Sequence, residues 1–482
     1  MIRTARTVVL VAAALTLVSC STVQRLNPFK GRGGENASLE GAGAPEERTR
    51  IPLIALDQQL RVNDALKGVG FYLPPAAPQA DWPLPGGTLE QTVEHVDAAP
   101  DFEIAWKRDI GRAGGRAQFI TAPPIAAGGR IYTMDAGAQV TATDARTGHV
   151  VWRANLVPKT LPDGTRPRRL VPPIFAHNGI VDPIAFGGGL AFADGKIFVT
   201  SGYRFVSAVD ANTGAVLWTT RTTAPIHAAP TVSGGRVFAV STINELMTFD
   251  AGTGQIGWAH QGLVEPARIL QASSPAISGD TIVAAFSSGE LTALRTTNGA
   301  ELWSGNLTRV SRTTALSEIR DIPGRPIIYR GDVLAGSHSG VFAAVDFRTG
   351  QLRWELPIIT TANPWAAGDV VYTVSKSGEV VCIARESGQV YWIRDLNEGR
   401  RSTRVSRFLG RERNDRAYWS GPILASNRLI TVSSDGRAAA LDPKTGEVLS
   451  YLKLGAPALI TPIAVGGMLY VVTDKGDLIA IR

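Results

Sequence analysis

The chain has 482 residues, 44% of them hydrophobic and 19% charged, with 51 glycines and 29 prolines. It therefore has material for a sizeable core and is not disordered as a whole, and its two cysteines exclude both a disulfide-stapled scaffold and a cysteine-rich zinc module. A formal charge of +7 makes an anionic partner or surface worth testing without establishing one.

Arg3 and Arg6 precede an apolar run from Val8 to Val18, broken only by Thr16. The run is too short to span a bilayer as a helix, which takes about 20 apolar residues, but it has the size of a signal-peptide core. It ends in Leu17-Val18-Ser19-Cys20, which resembles a bacterial lipoprotein box. The resemblance implies a signal peptide over 1–19, cleavage before Cys20 and acylation of that cysteine. Ser21, where aspartate would imply inner-membrane retention, implies an outer-membrane anchor facing the periplasm. No other segment reaches transmembrane length. Loss of the two signal arginines leaves a side-chain charge of +5 and one unlipidated cysteine, Cys382.

Residues 20–100 read as a lipidated tether. Gly31-Arg32-Gly33-Gly34 and Glu40 to Pro45 are flexible in composition, and Pro74, Pro75, Pro78, Pro83 and Pro85 impose extended chain. Ile51 to Leu56 is apolar enough to dock, and Asp57 to Lys67 suits a short helix capped at Asp57. The tether is expected to be partly pinned to the C-terminal domain.

From about residue 103 one pattern recurs: Asp-x-x-Thr-Gly or a close variant, with Trp four residues after the Gly. The pairs are Gly148/Trp152, Gly214/Trp218, Gly254/Trp258, Gly299/Trp303, Gly350/Trp354 and Gly388/Trp392. A seventh turn ends at Gly446, but Ser450 stands where Trp would be. The glycines lie 66, 40, 45, 51, 38 and 58 residues apart, and the shorter spacings match a propeller blade of about 40–50 residues. Glycine supplies the positive φ of such a turn, the aspartate bonds its amides, and the tryptophan can pack against the next sheet.

Each repeat opens with a hairpin signal such as Pro230 to Val240 or Pro462 to Val472, so each supplies four antiparallel strands. The last repeat stops after three. Asp101 to Trp106 carries an extra tryptophan at the other end of the array and can supply the missing strand. The expected fold over 101–482 is all-β: an eight-bladed β-propeller of four-stranded antiparallel blades, closed by pairing an N-terminal strand with the C-terminal strands. An open solenoid, the alternative, would need polar caps.

These turns resemble the repeats of the quinoprotein (PQQ) dehydrogenases and their non-enzymatic relatives. Together with the lipoprotein box and a lone propeller, they resemble the BamB family, lipoproteins of the outer-membrane β-barrel assembly machinery. That resemblance implies a scaffold with no cofactor and no catalytic residues, which binds the POTRA domains of BamA, meets other assembly subunits and engages nascent outer-membrane proteins. It places partner-binding residues at Arg268, Ile269 and Leu270, before Ser273-Ser274-Pro275, and at Asp321, before Pro323 and Pro326. Two alternatives stand beside it: a PQQ-dependent dehydrogenase-like protein and a general periplasmic binding propeller.

For the dehydrogenase, the adjacent cysteines that such enzymes often place over the cofactor are missing, and no metal-ligand set is visible. The six histidines are scattered, and no Gly-x-Ser-x-Gly elbow occurs. Cys382, between Val381 and Ile383, reads as a buried strand residue, and Gly187-Gly188-Gly189 as a turn between strands. The basic excess is local. Residues 397–416 hold seven arginines against three acids, and a second insertion, 156–182, adds Lys159, Arg166, Arg168 and Arg169. These segments suit an acidic partner or lipid phosphate, or are plain solvated loops. Nucleic acid does not fit the expected compartment.

Overall fold

The structure, a computed structural model, describes residues 60–115, 119–157, 186–265, 273–308, 320–400, 404–405, 412–413 and 416–482. The signal segment, Cys20, the apolar stretch 51–56, the triad Arg268–Leu270 and most of both basic insertions lie outside them.

The repeated turn explains itself at atomic level. Asp144 accepts from the amide and the hydroxyl of Thr147, both at 2.7 Å, and Gly148 follows with φ +72°. Asp210 and Asp346 hold Thr213 and Thr349 in the same way. All seven turn glycines have φ between 70° and 76°, the left-handed region that a side chain would strain.

Each such turn joins the third and fourth strands of a four-stranded antiparallel sheet, and there are eight such sheets among the described residues. Blade 1 runs Ile125–Ala127, Arg130–Met134, Gln139–Asp144 and Val150–Asn155; blades 2 to 7 repeat this order and start at Gly188, Thr231, Ala276, Ile327, Trp365 and Trp419. First strands of neighbouring blades touch, as Ile125–Ala127 does Gly188–Ala193, so these short strands line the central channel. Outer fourth strands such as Val216–Arg221 alternate between exposed and half-buried positions.

The eighth blade is built from both ends. Ile104–Asp109 pairs antiparallel with Asp477–Ile481, which continues into Met468–Val472 and Ile463–Val465. Glu103 and Arg482 exchange two backbone hydrogen bonds at 3.1 and 2.8 Å, so no strand edge is left open at the seam.

Every motif tryptophan reaches the next blade. Trp106 lies on Gly148, Trp152 on Gly214, Trp218 on Gly254, Trp258 on Gly299, Trp303 on Gly350, Trp354 on Gly388 and Trp392 on Gly446. Five of these indoles also donate to a carbonyl of that turn, for instance Trp152 to Ala211 at 3.0 Å and Trp354 to Arg385 at 2.7 Å. Ser450 now has a reason. Blade 8 joins its third and fourth strands by chain termini rather than by a Thr-Gly turn, so a tryptophan on blade 7 would have no glycine to cover.

Two local readings change. The expected helix over 57–67 begins outside the described residues, as does its expected cap Asp57; from residue 60 on there is a single 3-10 turn, Asp64–Leu66, capped by Asn63, whose side chain accepts from the Ala65 amide at 2.9 Å. Shortly before it Leu60 packs on the propeller, so tertiary contact rather than helix propensity shapes the segment. Gly188 and Gly189 are not a turn but the start of the innermost strand of blade 2. A Cβ on Gly188 would sit 2.0 Å from the Thr200 carbonyl oxygen, and one on Gly189 2.3 Å from the Ala229 Cβ. Small residues are needed there because neighbouring backbones converge at the channel.

Residues 77–99 form a strap across one end of that channel, and it reaches all eight blades. Trp82 exchanges backbone bonds with Ala126 of blade 1, Pro83 accepts from Phe192 of blade 2, and Leu89 and Glu90 accept from Ile277 and Ile328 of blades 4 and 5. Gln91 donates to Thr231 of blade 3, and the Trp365 indole of blade 6 donates to the Glu94 carbonyl. Val96 pairs with Leu424 and Ser426 of blade 7, and Ala99 with Gly467 of blade 8. Trp82 is 1% exposed and stacks on Trp365 at 6.4 Å, filling the channel end. His95 fastens the strap: it bonds the Pro74 carbonyl at 2.7 Å and accepts from the Asn427 amide at 2.9 Å, which sets the tautomer with the proton on Nδ1.

Candidate functional site: the open face of the ring

Antiparallel order sorts the connections. Turns between first and second and between third and fourth strands lie on the strapped face. Turns between second and third strands, and all inter-blade loops, lie on the other. The described ends of both basic insertions, at 157, 186, 400 and 416, and of both expected partner-binding loops, at 265, 273, 308 and 320, belong to inter-blade connections and lie on the open face.

On that face two features stand out. The first is apolar. Gln261 ends the last strand of blade 3, and after Gly262 the next two residues, Leu263 and Val264, are 62% and 75% exposed. Ile243, exposed on the neighbouring turn, lies beside them through Asn244, which donates from Nδ2 to the Leu263 carbonyl at 2.5 Å. The Leu263 amide is held by Glu290 of blade 4 at 3.0 Å. This surface immediately precedes the segment holding Arg268, Ile269 and Leu270. The sequence carries a signal for it that the repeat pattern hides: two apolar residues directly after the glycine that follows the strand break the alternation.

Asp321 enters the next loop, between blades 4 and 5. Its side chain is buried, and its carbonyl accepts from the His338 amide at 2.9 Å. Asp321 therefore supports the loop from within and offers little surface to a partner.

The second feature is the channel mouth, a cavity of about 280 Å³ to which every blade contributes. Phe119, Ile120, Phe186, Leu459 and Ile460 supply apolar wall; Ser274, Arg325, Thr361, Asn363, Tyr418 and Thr461 supply polar groups. The Phe119 and Phe186 rings meet edge to face at 6.1 Å. Arg325 sits between Gly324 and Pro326, after Pro323, so two prolines stiffen the loop around it. Its amide donates to Asn363 Oδ1 at 2.9 Å, and Asn363 Nδ2 reaches Thr461 at 3.4 Å. Arg325 is 8% exposed and its Nε is buried without an acceptor. Burial pulls its guanidinium down to about 10, so it stays charged at neutral pH.

Other candidates for chemistry are placed as follows. Cys382 is buried in the third strand of blade 6, and burial pushes its thiol well above the usual range. His149 is exposed beside its turn, His260 rests on Phe286 at 6.2 Å, and His338 bonds Lys376 Nζ at 2.8 Å. Among the described residues no three His, Cys, Asp or Glu side chains converge as a metal site would require, and no helix is long and apolar enough to cross a membrane. At the edge of the arginine insertion, Arg400 pairs with Asp435 at 2.8 Å and Arg416 with Asp395 at 2.9 Å.

The chain is similar to known proteins. The chain is 21% identical over 377 residues to the outer membrane protein assembly factor BamB of Moranella endobia, covering 78% of this chain and 89% of that one. It is 21% identical over 399 residues to BamB of Salmonella typhimurium, covering 81% and 93%. Among solved structures, BamB from Moraxella catarrhalis superposes with a TM-score of 0.60 at 18% identity, over 78% of this chain and 99% of that one. The quinohemoprotein alcohol dehydrogenase of Comamonas testosteroni also superposes with a TM-score of 0.60, at 15% identity, over 84% and 81%. At such identities the structural likeness speaks for the propeller fold alone. The family model described as outer membrane protein assembly factor BamB matches residues 90–181, 138–394 and 399–482, and the chain belongs to that family.

Proposed function

We propose that this chain is a non-enzymatic scaffold of the outer-membrane β-barrel assembly complex, lipid-anchored at Cys20 after removal of residues 1–19 and facing the periplasm. Residues 20–100 lead from the anchor, and residues 101–482 form the propeller that presents its open face to the POTRA domains of BamA. Family membership supports the assembly role. The single observation that carries the docking surface is the exposed Leu263–Val264 pair, with Ile243 beside it, directly before Arg268–Leu270. An exposed apolar cluster on a rim is what a protein interface requires. Asp321 contributes by holding the adjacent loop in shape. Nascent strands would meet the same face, and no cofactor takes part.

The test is co-purification of the membrane-anchored protein after gentle solubilisation. Recovery of BamA is expected, and its absence from the eluate sinks the reading.

A further inference from the structure

The channel mouth carries a charge that the fold does not use. Arg325 is nine-tenths buried, lines the cavity, and its Nε is buried with no acceptor. Its one bond runs through its backbone amide. Withdrawing a cation from water without a counter-charge is unfavourable. A side chain so placed, stiffened by Pro323 and Pro326, is set up to receive an anion.

The surroundings narrow the anion. Of the polar neighbours, Tyr418 bonds Thr361, Ser420 donates to the Leu459 carbonyl at 2.7 Å, and Thr461 accepts from Asn363; Thr121, His227 and Ser274 also line the mouth. One planar guanidinium, with no second arginine or lysine among the residues lining the cavity, suits a monoanionic carboxylate rather than a phosphate dianion. Phe119, Phe186 and Leu459 offer a wall for an apolar body. A cavity of about 280 Å³ limits that body to roughly one ring or one side chain. The far end is filled by Trp82, so the ligand enters and leaves by the open face.

We propose that the channel mouth is a binding site for a carboxylate carrying a small apolar body, with the carboxylate on Arg325 and the body against Phe119, Phe186 and Leu459. The site is independent of the docking surface proposed above. Two sources share this chemistry: a free organic acid, and the C-terminal carboxylate of a polypeptide ending in an apolar residue.

Calorimetric titration of the full chain separates them. The probes are phenylacetate, phenylacetamide, and the tripeptide Ala-Ala-Phe with a free or an amidated C-terminus. At least one free carboxylate is expected to bind saturably, with its neutral amide weaker by about tenfold or more, as expected for loss of one charge-assisted contact. Tighter binding of the free-ended peptide assigns a polypeptide terminus; tighter binding of phenylacetate assigns a free acid. Arg325→Met, of similar length and no charge, should abolish binding and leave Tm unchanged or raised, because an unpaired buried cation is gone. Arg325→Lys keeps the charge without the fork and should bind more weakly than wild type. Equal binding of acid and amide, binding retained in Arg325→Met, or no titratable heat with any probe at about 10 mM, where even a millimolar Kd registers, overturns the proposal. So does a lowered Tm of Arg325→Met, which would show that the guanidinium serves the fold.

Discussion

The indole of Trp303 in blade 4 lies flat on Gly350 in blade 5. A Cβ on that glycine would approach Trp303 Cδ2 to 2.8 Å, while the indole N–H donates to the Phe347 carbonyl at 2.8 Å. One contact thus uses both the missing side chain and the positive φ of the turn. Gly350→Ala is expected to destabilise by about 2–4 kcal/mol through strain and overpacking, and Trp303→Ala by about 3–5 kcal/mol. The double variant should lose less than the sum, because the smaller side chain makes room for the new methyl. Urea unfolding of the four proteins checks this, and strict additivity would show that the two residues do not share a contact.

The strap gives a second expectation. Trp82→Ala removes the side chain that fills the channel end and should cost about 3–5 kcal/mol. The amides of Ala126, Ile277 and Ile328, which bond strap carbonyls, should exchange faster with deuterium while outer-strand amides hold. Unchanged exchange at those three positions would mean that the strap is not fastened through its centre.

Acid sensitivity follows from the turns. Hydrogen bonds from the threonine hydroxyl, and for Asp250 first of all from the Thr253 amide, hold the carboxylates of Asp144, Asp210, Asp250 and Asp346 below their ordinary value of 3.8. A depressed folded value means stability that is present above pH 3.8 and lost as pH falls through the folded values. The unfolding midpoint should therefore drop as the medium is acidified from about pH 5 downward. Replacing the four aspartates by asparagine keeps an acceptor but removes the titration, and should flatten that decline. An equally steep decline in the variant would place the acid-sensitive groups elsewhere.

On the open face, Leu263→Asp with Val264→Asp should cut recovery of BamA several-fold while leaving Tm within about 1–2 °C of wild type, since exposed side chains contribute little to stability. Full recovery would remove this patch from the interface.

Cys382 should resist alkylation by iodoacetamide at about pH 8 in the folded protein and react once urea unfolds blade 6, because the buried thiol does not ionise. Mass spectrometry of its peptide reads the outcome; rapid labelling under native conditions would contradict the burial.

The blades were legible because their signal repeats. Glycine at a φ near +74° and tryptophan four residues on are both dictated by backbone sterics and blade contact, so each copy carries its own evidence. Even Ser450 was legible as an exception, though its cause lay in the blade without a turn. The strap was not legible beyond its prolines. Trp82, Leu84 and Val96 are buried by a succession of different blades, so no period marks them. Arg325 gave no sign at all, because a lone arginine between glycine and proline reads as loop surface. Gly188 and Gly189 misled for the opposite reason: glycine marks turns and close backbone approach alike, and only the fold says which.

The strap also sets an order of events. Residues 77–99 emerge early in synthesis, yet the surface they bind is shared by all eight blades and does not exist until Asp477–Ile481 has paired with Ile104–Asp109. The first part of the ring to be made is the last that can settle, and Trp82, Leu84 and Val96 must wait with their apolar surface in water until the final strand arrives. In pulse-labelled refolding the Trp82 amide should gain protection after that of Ile479, and the reverse order would mean that the strap templates the ring instead of sealing it.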